Sequence, residues 1–462
     1  METQDRISIV TLNNVAEYHV ENFGCRSSRS DGEAIAAGLR RHGLHAATGF
    51  VTANVVVVNT CSVTADADNG ARAFIRRVHR KNPQAKIIVT GCYAQRAPDE
   101  LTGIGGVAAI IGNSHKALVV PSIVEPGFIE PSSFVPLAAL VNNVPVYVDE
   151  SFAHAELATL PFAEDADQTR PNLKVQDGCA NRCSFCIIPA TRGPSRSVSL
   201  AECLASVERF VESGGQELVL SGINLGRWGR DLQPAQRLVD LVAAILEKTS
   251  LPRLRLSSIE PMDWTPELLS VYAAYAGRFA RHAHLPLQSG SDTVLRRMHR
   301  RYRPWHYAEK LSHIRDLLPD AAIGADVMVG FPGETDALFQ ESYDFIAAQP
   351  FTYLHLFPFS ARPGTPAAEL YRQQPVPSPV VEMRMQALRV LAQQKNRAFR
   401  QRFVGRELSV VTLKGDHSPT TPALSDNFIK FEIAAVCPPN RTMNVRATRL
   451  TETGLYASRN SG

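Results

Sequence analysis

Strand-like runs alternate with helical patterns between residues 172 and 375, and this alternation limits the possible folds more than any other feature. Short apolar runs separated by longer helical repeats predict parallel strands that are connected by helices. Six such runs predict a parallel barrel or part of one, with reactive groups on the loops after the carboxyl ends of the strands. The runs are NLKVQ, QELVLSG, RLRLSSIE, HAHLPLQSG, IGADVMVGF and YLHLFPFS.

The segments on either side have different patterns. Toward the amino terminus, apolar runs such as NVVVVNTC and AKIIVTGC alternate with helical patterns, which predicts a small doubly wound parallel sheet. Toward the carboxyl terminus, the short runs LSVVTL, NFIKFEI and MNVRATRL predict a small β-barrel. The sequence therefore predicts an α/β chain with an N-terminal sheet domain (5–120), a linker (121–167), a partial barrel (168–397) and a C-terminal β-barrel (398–460).

Composition predicts a globular protein of the cytoplasm. The chain has 462 residues, too many for one hydrophobic core, and 44% of them are apolar. The start METQDRISIV lacks the apolar core of a secretory signal, and VVVV at 55–58 is too short to span a membrane. The 49 Lys and Arg against 45 Asp and Glu give a net charge of +4, which by itself does not indicate a nucleic-acid partner.

Three cysteines lie in GCANRCSFC, just after the first predicted strand of the barrel: Cys179, Cys183 and Cys186. Thiolates are suited to iron-sulfur clusters, and the Cys-x3-Cys-x2-Cys spacing lets one loop surround a single four-iron cluster. Three ligands leave one iron open to bind S-adenosylmethionine and to pass it an electron, which generates a deoxyadenosyl radical. The alternative is structural zinc, but zinc usually has four ligands in paired CxxC form, and no fourth Cys or His lies close by.

A second set of cysteines, Cys25, Cys61 and Cys92, follows or ends apolar runs of the predicted N-terminal sheet. The intervals are close to one βαβ unit of about 30 residues. Because the carboxyl ends of parallel strands meet at one edge of a sheet, the three thiols could converge on a second metal cluster. The alternative for each is a buried, inert cysteine. Cys203 and Cys437 lack such a setting and are interpreted as structural.

These segments resemble the radical S-adenosylmethionine methylthiotransferases, a family with an N-terminal three-cysteine domain, a radical barrel and a C-terminal TRAM domain. The resemblance is carried by NTCSVTADADNGARAFIRR, TGCYAQRAPDE, VQDGCANRCSFCIIPATRGPSRS, LSSIEP, HLPLQSGSDTVLRRMHRRY, VMVGFPGET and HLFPFSARPGTPAA, over nearly the whole chain. It implies two 4Fe-4S clusters, one on each cysteine triad. One S-adenosylmethionine would methylate a sulfur and another would form the radical that activates a carbon-hydrogen bond.

The resemblance also implies partners: the tRNA anticodon stem-loop, a sulfur donor and a low-potential electron donor such as flavodoxin or ferredoxin. Contacts to S-adenosylmethionine are expected from polar and glycine residues on the loops after the barrel strands, although each of these could simply cap a helix or shape a turn. They are Ser221, Gly222, Asn224, Ser257, Glu260, Gln288, Gly290 and Gly330.

Members of the family differ in substrate. NTCSVTADAD, GCYAQRAPDE and LRLSSIEP look most like the type that acts on N6-threonylcarbamoyladenosine at position 37 of tRNA. Isopentenyladenosine of tRNA and an aspartate of a small-subunit ribosomal protein stay as alternatives. A further alternative, from a different class, is a non-catalytic RNA-binding protein whose cysteines hold structural metal.

Overall fold

The structure is a computed structural model that describes residues 16–125, 144–152, 169–415 and 419–458. Most of the predicted linker, 121–167, lies outside the described residues. The chain forms two compact units. The first comprises the described residues up to 161 together with 177–181 and 187–195, and the second comprises the remainder.

The first unit contains a six-stranded parallel sheet in the order β2-β1-β3-β4-β5-β6. In β3 all six residues are buried, and they point alternately to the two faces of the sheet. Val56 and Val58 pack with Phe74 and other apolar residues on one face, whereas Val55 and Val57 belong to the core of the opposite face. The strands are β1 (Glu17–Asn22), β2 (His45–Ala46), β3 (Val55–Thr60), β4 (Lys86–Gly91), β5 (Val107–Gly112) and β6 (Val146–Tyr147).

Helices cover both faces of this sheet, so it is doubly wound as predicted. Ile35 and Leu39 of α1 pack on one face, while Phe74 of α2 packs on the other. The N-terminus of α2 is capped by the Thr64 side chain, which accepts a hydrogen bond from the amide of Ala67 at 3.2 Å. The helices are α1 (Arg26–Arg41), α2 (Ala65–Lys81), α3 (Cys92–Arg96), α4 (Asp99–Thr102), α5 (Pro121–Val124) and α6 (Ile188–Arg192).

The second unit contains the six parallel strands of a partial barrel. One sheet has the order β10-β9-β7-β8 and another the order β11-β12-β13, and a parallel bridge from Leu254 to Phe279 joins the end of the first to the segment before β11. The six strands are β7 (Asn172–Asp177), β9 (Glu217–Gly222), β10 (Arg253–Leu256), β11 (His282–His284), β12 (Ala322–Val329) and β13 (Tyr353–Pro358), and the two-residue strand β8 (Arg196–Ser197) lies beside β7.

Helices connect the barrel strands, and a long helix follows the last of them. Ser199 and Glu202 form a capping box that fixes the start of the first helix. The helices are α7 (Leu200–Glu212), α8 (Leu238–Lys248), α9 (Pro266–Ala274), α10 (Asp292–Arg297), α11 (Pro304–Leu317), α12 (Asp336–Ala348), α13 (Pro366–Gln373) and α14 (Ser378–Gln401).

A closed five-stranded barrel in the order β14-β15-β16-β18-β17 ends the chain, which confirms the predicted C-terminal β-barrel. Phe399 and Phe403, at the end of α14, pack into its core with Phe431 and Val445. The strands are β14 (Glu407–Thr412), β15 (Thr421–Ser425), β16 (Lys430–Ile433), β17 (Thr442–Leu450) and β18 (Leu455–Ser458). Within the described ranges, none of the helices has the length and apolar character needed to cross a membrane.

A buried carboxylate joins the partial barrel to the C-terminal barrel. Glu217, at the start of β9, is fully buried and forms ion pairs with Arg170, Arg253 and Arg255 at 2.7, 3.3 and 2.6 Å. The same arginines reach into the C-terminal barrel, because Arg253 donates to Ser409 Oγ and Arg255 donates to the carbonyl of Ser425. Glu217 therefore holds two arginines, Arg253 and Arg255, that also contact the C-terminal barrel.

The surrounding charges keep Glu217 ionised. Burial alone would raise the pKa of this carboxyl, but Arg255, Arg170 and Arg253 lower it to about 2, from an ordinary value of 4.5. Because the folded-state pKa is depressed, the ion pairs stabilise the fold above about pH 4.5, and this contribution is lost as the pH falls toward 2.

We expect Glu217→Gln to lower the free energy of unfolding by about 3–5 kcal/mol at pH 7, because the substitution leaves buried guanidinium groups without their counter-charge. Urea unfolding of the full chain measures the effect, and Glu208→Gln, at an exposed position of α7, is the control. The difference in the free energy of unfolding between wild type and Glu217→Gln should become smaller as the pH falls from 4.5 to 3. If Glu217→Gln is as stable as Glu208→Gln at pH 7, this role of Glu217 is contradicted.

Candidate functional site

The three N-terminal cysteines follow neighbouring parallel strands. Cys61 comes directly after β3, Cys92 directly after β4, and Cys25 three residues after β1. Since β1, β3 and β4 are adjacent and parallel, their carboxyl ends lie at one edge of the sheet. The three cysteines therefore lie at the same edge of the sheet, and their role as ligands of one metal cluster stays a prediction.

Close packing fixes the positions of these thiols. Gly24 has φ of +110°, and a Cβ atom at this position would lie 2.6 Å from the Sγ of Cys61. Asn113 donates a hydrogen bond from Nδ2 to the Sγ of Cys92 at 3.4 Å. Burial, together with the neighbouring Cys92 and Cys25, raises the pKa of the Cys61 thiol to about 12. A bound cation that favours the thiolates would remove this penalty, so the donor set suits a metal centre.

A buried arginine lies beside this triad. The side chain of Arg192, the last residue of α6, is fully buried and contacts Asp177 and Asp31, each at 3.0 Å. Arg192 also donates to Ser28 Oγ at 3.4 Å, and Asp31 forms a second ion pair with Lys116 at 2.6 Å. The network therefore ties α1, which starts immediately after Cys25, to the segment that leads into GCANRC.

Negative groups on several sides stabilise the charge of Arg192. Burial alone would lower the pKa of its guanidinium, but Asp177, Cys92, Asp31 and Cys25 raise it well above the ordinary value. Ser28 Oγ lies 3.4 Å from the Arg192 guanidinium and 3.7 Å from the Cys25 sulfur, so the cation lies on the side of the thiol edge. Arg192 would therefore favour thiolates, or an anionic cluster, at this edge.

The other cysteine triad lies on the loop between β7 and α6. The amide of Cys179 donates to the carbonyl of Gly193 at 3.1 Å, and the amide of Asn181 points at the Cys179 sulfur at 3.4 Å. The amide of Cys186 donates to the carbonyl of Cys183 at 3.1 Å, which closes a tight turn. All three cysteines are partly exposed.

Arg300 supports this loop through Cys183. The guanidinium of Arg300 donates to the Cys183 sulfur at 3.2 Å, to Glu260 at 2.5 Å and to the Tyr302 hydroxyl at 3.0 Å. Burial alone would lower the pKa of Arg300, but Tyr302, Glu260 and Cys183 raise it well above the ordinary value. Glu260, predicted as a cofactor contact, is placed here as the partner of Arg300.

Two of the other predicted contacts present buried polar atoms. Within the described part of the chain, Ser257 Oγ and Gln288 Oε1 are buried and have no hydrogen-bond partner. Both residues follow barrel strands, at the ends where the sequence predicted cofactor contacts. Since a buried polar atom without a partner is unfavourable, these two atoms are suited to receive a polar ligand.

The remaining predicted contacts have evident roles in the fold. Ser221 donates to the carbonyl of Leu173, and the amide of Asn224 donates to Gln176 Oε1 at 2.7 Å. Gly222 ends β9, and a Cβ atom there would lie 2.9 Å from Gln176 Oε1. Two further glycines allow close packing, because a Cβ atom at Gly290 would lie 2.8 Å from α12 and one at Gly330 would lie 2.5 Å from Val381.

Sequence reasoning missed Arg192 and Arg300 as parts of the site. Arg192 stands within the quoted segment ATRGPSRS, and its burial between two acids could not be inferred from that segment. Arg300 lies among other basic residues in MHRRYR, and its burial against Cys183 could not be inferred from that segment.

Two family models match separate parts of the chain. A model described as the uncharacterized protein family UPF0004 matches residues 17–112, and the radical SAM superfamily model matches residues 173–346. The chain is 36% identical over 394 residues to "Threonylcarbamoyladenosine tRNA methylthiotransferase MtaB" of Bacillus subtilis, which covers 84% of this chain and 83% of the relative. It is 32% identical over 402 residues to "tRNA-2-methylthio-N(6)-dimethylallyladenosine synthase" of Thermobifida fusca, a match that covers 86% of this chain and 78% of the relative.

Among solved structures, the chain is similar to the radical S-adenosylmethionine methyltransferase TsrM from Kitasatospora setae, which was solved with cobalamin and a 4Fe-4S cluster bound. The TM-score is 0.53, the sequence identity is 16%, and the match covers 78% of each chain. At this level of identity the similarity concerns the fold.

We expect Gly24→Ala to lower the iron content of the chain after anaerobic reconstitution by about four atoms, the content of one cluster. The added methyl group would displace the Cys61 thiol. Gly43→Ala is the matched control, because Gly43 has φ of +83° but no atom within 4 Å of the added Cβ, so it carries the backbone strain without the clash. Iron analysis measures the effect, and equal iron content in the two variants would show that packing at Gly24 does not position the triad.

Proposed function

Because the chain belongs to the radical S-adenosylmethionine methylthiotransferase family, we propose that it converts N6-threonylcarbamoyladenosine in tRNA to its 2-methylthio derivative. The observation that carries this proposal is the 36% identity, over 84% of the chain, to a protein named for that substrate. The two thiol triads support it, since sulfur insertion needs one site to hold sulfur and another to start the radical reaction.

The residues of both triads fit 4Fe-4S clusters. Cys179, Cys183 and Cys186 would hold one cluster, and Cys25, Cys61 and Cys92 would hold the other. When bound, the cluster on Cys179, Cys183 and Cys186 (the first triad) would supply an open iron for S-adenosylmethionine. The cluster on Cys25, Cys61 and Cys92 (the second triad) would supply an open iron for sulfur.

Side chains around Cys179, Cys183 and Cys186 would stabilise the cluster and orient S-adenosylmethionine. Arg300 donates an N–H group to the Cys183 sulfur, which places a positive charge against a negatively charged ligand set. Glu260 and Tyr302 hold the guanidinium in place, so it cannot turn away from the sulfur. The Ser257 hydroxyl would donate a hydrogen bond to S-adenosylmethionine or accept one from it, and Gln288 Oε1 would accept one.

At the second triad, Arg192 is the residue placed to stabilise negative charge. Its fixed position between Asp177 and Asp31 means that no reorganisation is required when a charged cluster or an added sulfur is present. Asn113 donates to the Cys92 sulfur and would also shield it from water.

The partners follow from this chemistry. The C-terminal barrel would bind the tRNA, in which the anticodon stem-loop carries the target base. A sulfur donor would replenish the sulfur, and a low-potential donor such as flavodoxin or ferredoxin would reduce the clusters. A tRNA substrate would place the activity in the cytoplasm.

Nucleoside analysis by mass spectrometry tests the proposed substrate. Deletion of the gene should remove the methylthio group from threonylcarbamoyladenosine of bulk tRNA. The wild-type chain and Cys437→Ala should restore it, whereas Cys179→Ala should not, although both cysteines are partly exposed. Loss of the mark from isopentenyladenosine instead would favour the second candidate, which rests on the 32% identity to a dimethylallyladenosine synthase. An unchanged nucleoside profile would overturn a tRNA substrate and direct attention to the ribosomal protein.

We expect Ser257→Ala to weaken binding of S-adenosylmethionine about fivefold, the equivalent of about 1 kcal/mol for one hydrogen bond, without lowering stability. The hydroxyl has no partner within the described part of the chain, so its removal costs the fold nothing. Equilibrium dialysis of the reconstituted chain measures affinity, and thermal unfolding measures stability. Ser312→Ala, at an exposed position of α11, is the control. Unchanged affinity with reduced stability would assign Ser257 a purely structural role.

A further inference from the structure

Two histidines and an aspartate meet inside the second unit. His284 ends β11, Asp326 lies in β12 and His355 lies in β13. The strand register pairs Asp326 with His355, and it pairs His284 with Gly324, two residues before Asp326. Residues two apart on a strand share a face, so all three side chains lie on the same side of the sheet.

The donor atoms of these three side chains all lie within 4.8 Å of one another. The Oδ1 atom of Asp326 is 3.5 Å from His284 Nε2 and 3.2 Å from His355 Nδ1. A tetrahedral ion with bonds of about 2.0–2.1 Å requires donor atoms about 3.3 Å apart. The spacing of the carboxylate to the two imidazoles therefore matches that of a metal site.

The hydrogen bonding of His284 leaves one nitrogen for a ligand. Its Nδ1 atom is 2.7 Å from Ser258 Oγ, which fixes the orientation of the ring. The side chain is 5% exposed, and Nε2, which faces the carboxylate, has no hydrogen-bond partner within the described residues. In a metal-binding histidine one ring nitrogen is usually held by a polar partner, and here Ser258 holds Nδ1 while Nε2 is left for an ion.

The openness of the site also suits a cation. His355 is 53% exposed and Asp326 is 25% exposed, so an ion can reach the carboxylate from solvent while His284 closes the buried side. Carboxylate oxygen and imidazole nitrogen are both donors that divalent first-row transition metals bind.

We propose that His284, Asp326 and His355 form a binding site for a divalent first-row transition metal such as Zn²⁺, separate from both cysteine triads. Two imidazoles and one carboxylate are suited to such ions, and three protein ligands leave coordination positions open for water or an oxygen ligand. This inference does not depend on the proposed substrate, because it concerns metal binding by the chain itself.

Zinc binding by the full chain tests the proposal. The chain is first reconstituted with iron and sulfide under anaerobic conditions, so that the cysteines are occupied, and is then dialysed against Zn²⁺ alone. Metal analysis should find one additional Zn²⁺ per chain. Asp326→Asn and His355→Ala should each weaken this binding more than about tenfold, and Ser258→Ala about tenfold.

The control is His313→Ala, at an exposed position of α11, which should bind Zn²⁺ like the wild type. His355 is largely exposed, so its substitution leaves the fold intact, and circular dichroism checks this. Titration with Co²⁺ should give the visible spectrum of nitrogen and oxygen ligands without thiolate charge-transfer bands. The proposal is overturned if the wild type binds no more Zn²⁺ than His355→Ala, or if the Co²⁺ spectrum shows thiolate ligands. The three residues would then form only a hydrogen-bonded network.

Discussion

The candidate site depends on one buried cation. Arg192 is fully buried between Asp31 and Asp177, and these carboxylates balance its charge. Asp31 lies on the helix that follows Cys25, and Asp177 stands two residues before Cys179. Because one buried guanidinium bridges both carboxylates, the helix that follows Cys25 is tied to the segment that precedes Cys179.

Both cysteine triads follow the carboxyl ends of parallel strands. One triad is assembled from three distant positions, and the other lies on a single loop. In the N-terminal sheet, three successive strand ends place Cys25, Cys61 and Cys92 at one edge, because adjacent parallel strands end on the same side. In the partial barrel, a single loop after β7 carries the other triad. The same rule brings Ser257 and Gln288 to the ends of barrel strands, where the sequence predicted cofactor contacts.

Charged residues show the limit of sequence reasoning. Near the end of α14, Arg402 and Arg406 pair with Asp320, and Arg400 donates to the carbonyls of Thr451 and Gly454, which no local sequence pattern indicates. The role of Glu217 as a buried partner of three arginines likewise has no local signature. Such pairs join residues that are far apart in sequence, so spacing along the chain does not predict them.

The sequence by itself determined the α/β architecture, the two cysteine triads and the family, because strand periodicity, cysteine spacing and long matching segments are local properties that do not require a fold to be recognised. Only the tertiary structure decided which polar groups have partners: that Glu260 is engaged by Arg300, that Arg192 lies on the side of the N-terminal thiols, and that His284, Asp326 and His355 meet. The physical reason is that burial and strand register, which set these contacts, arise only when distant segments pack together.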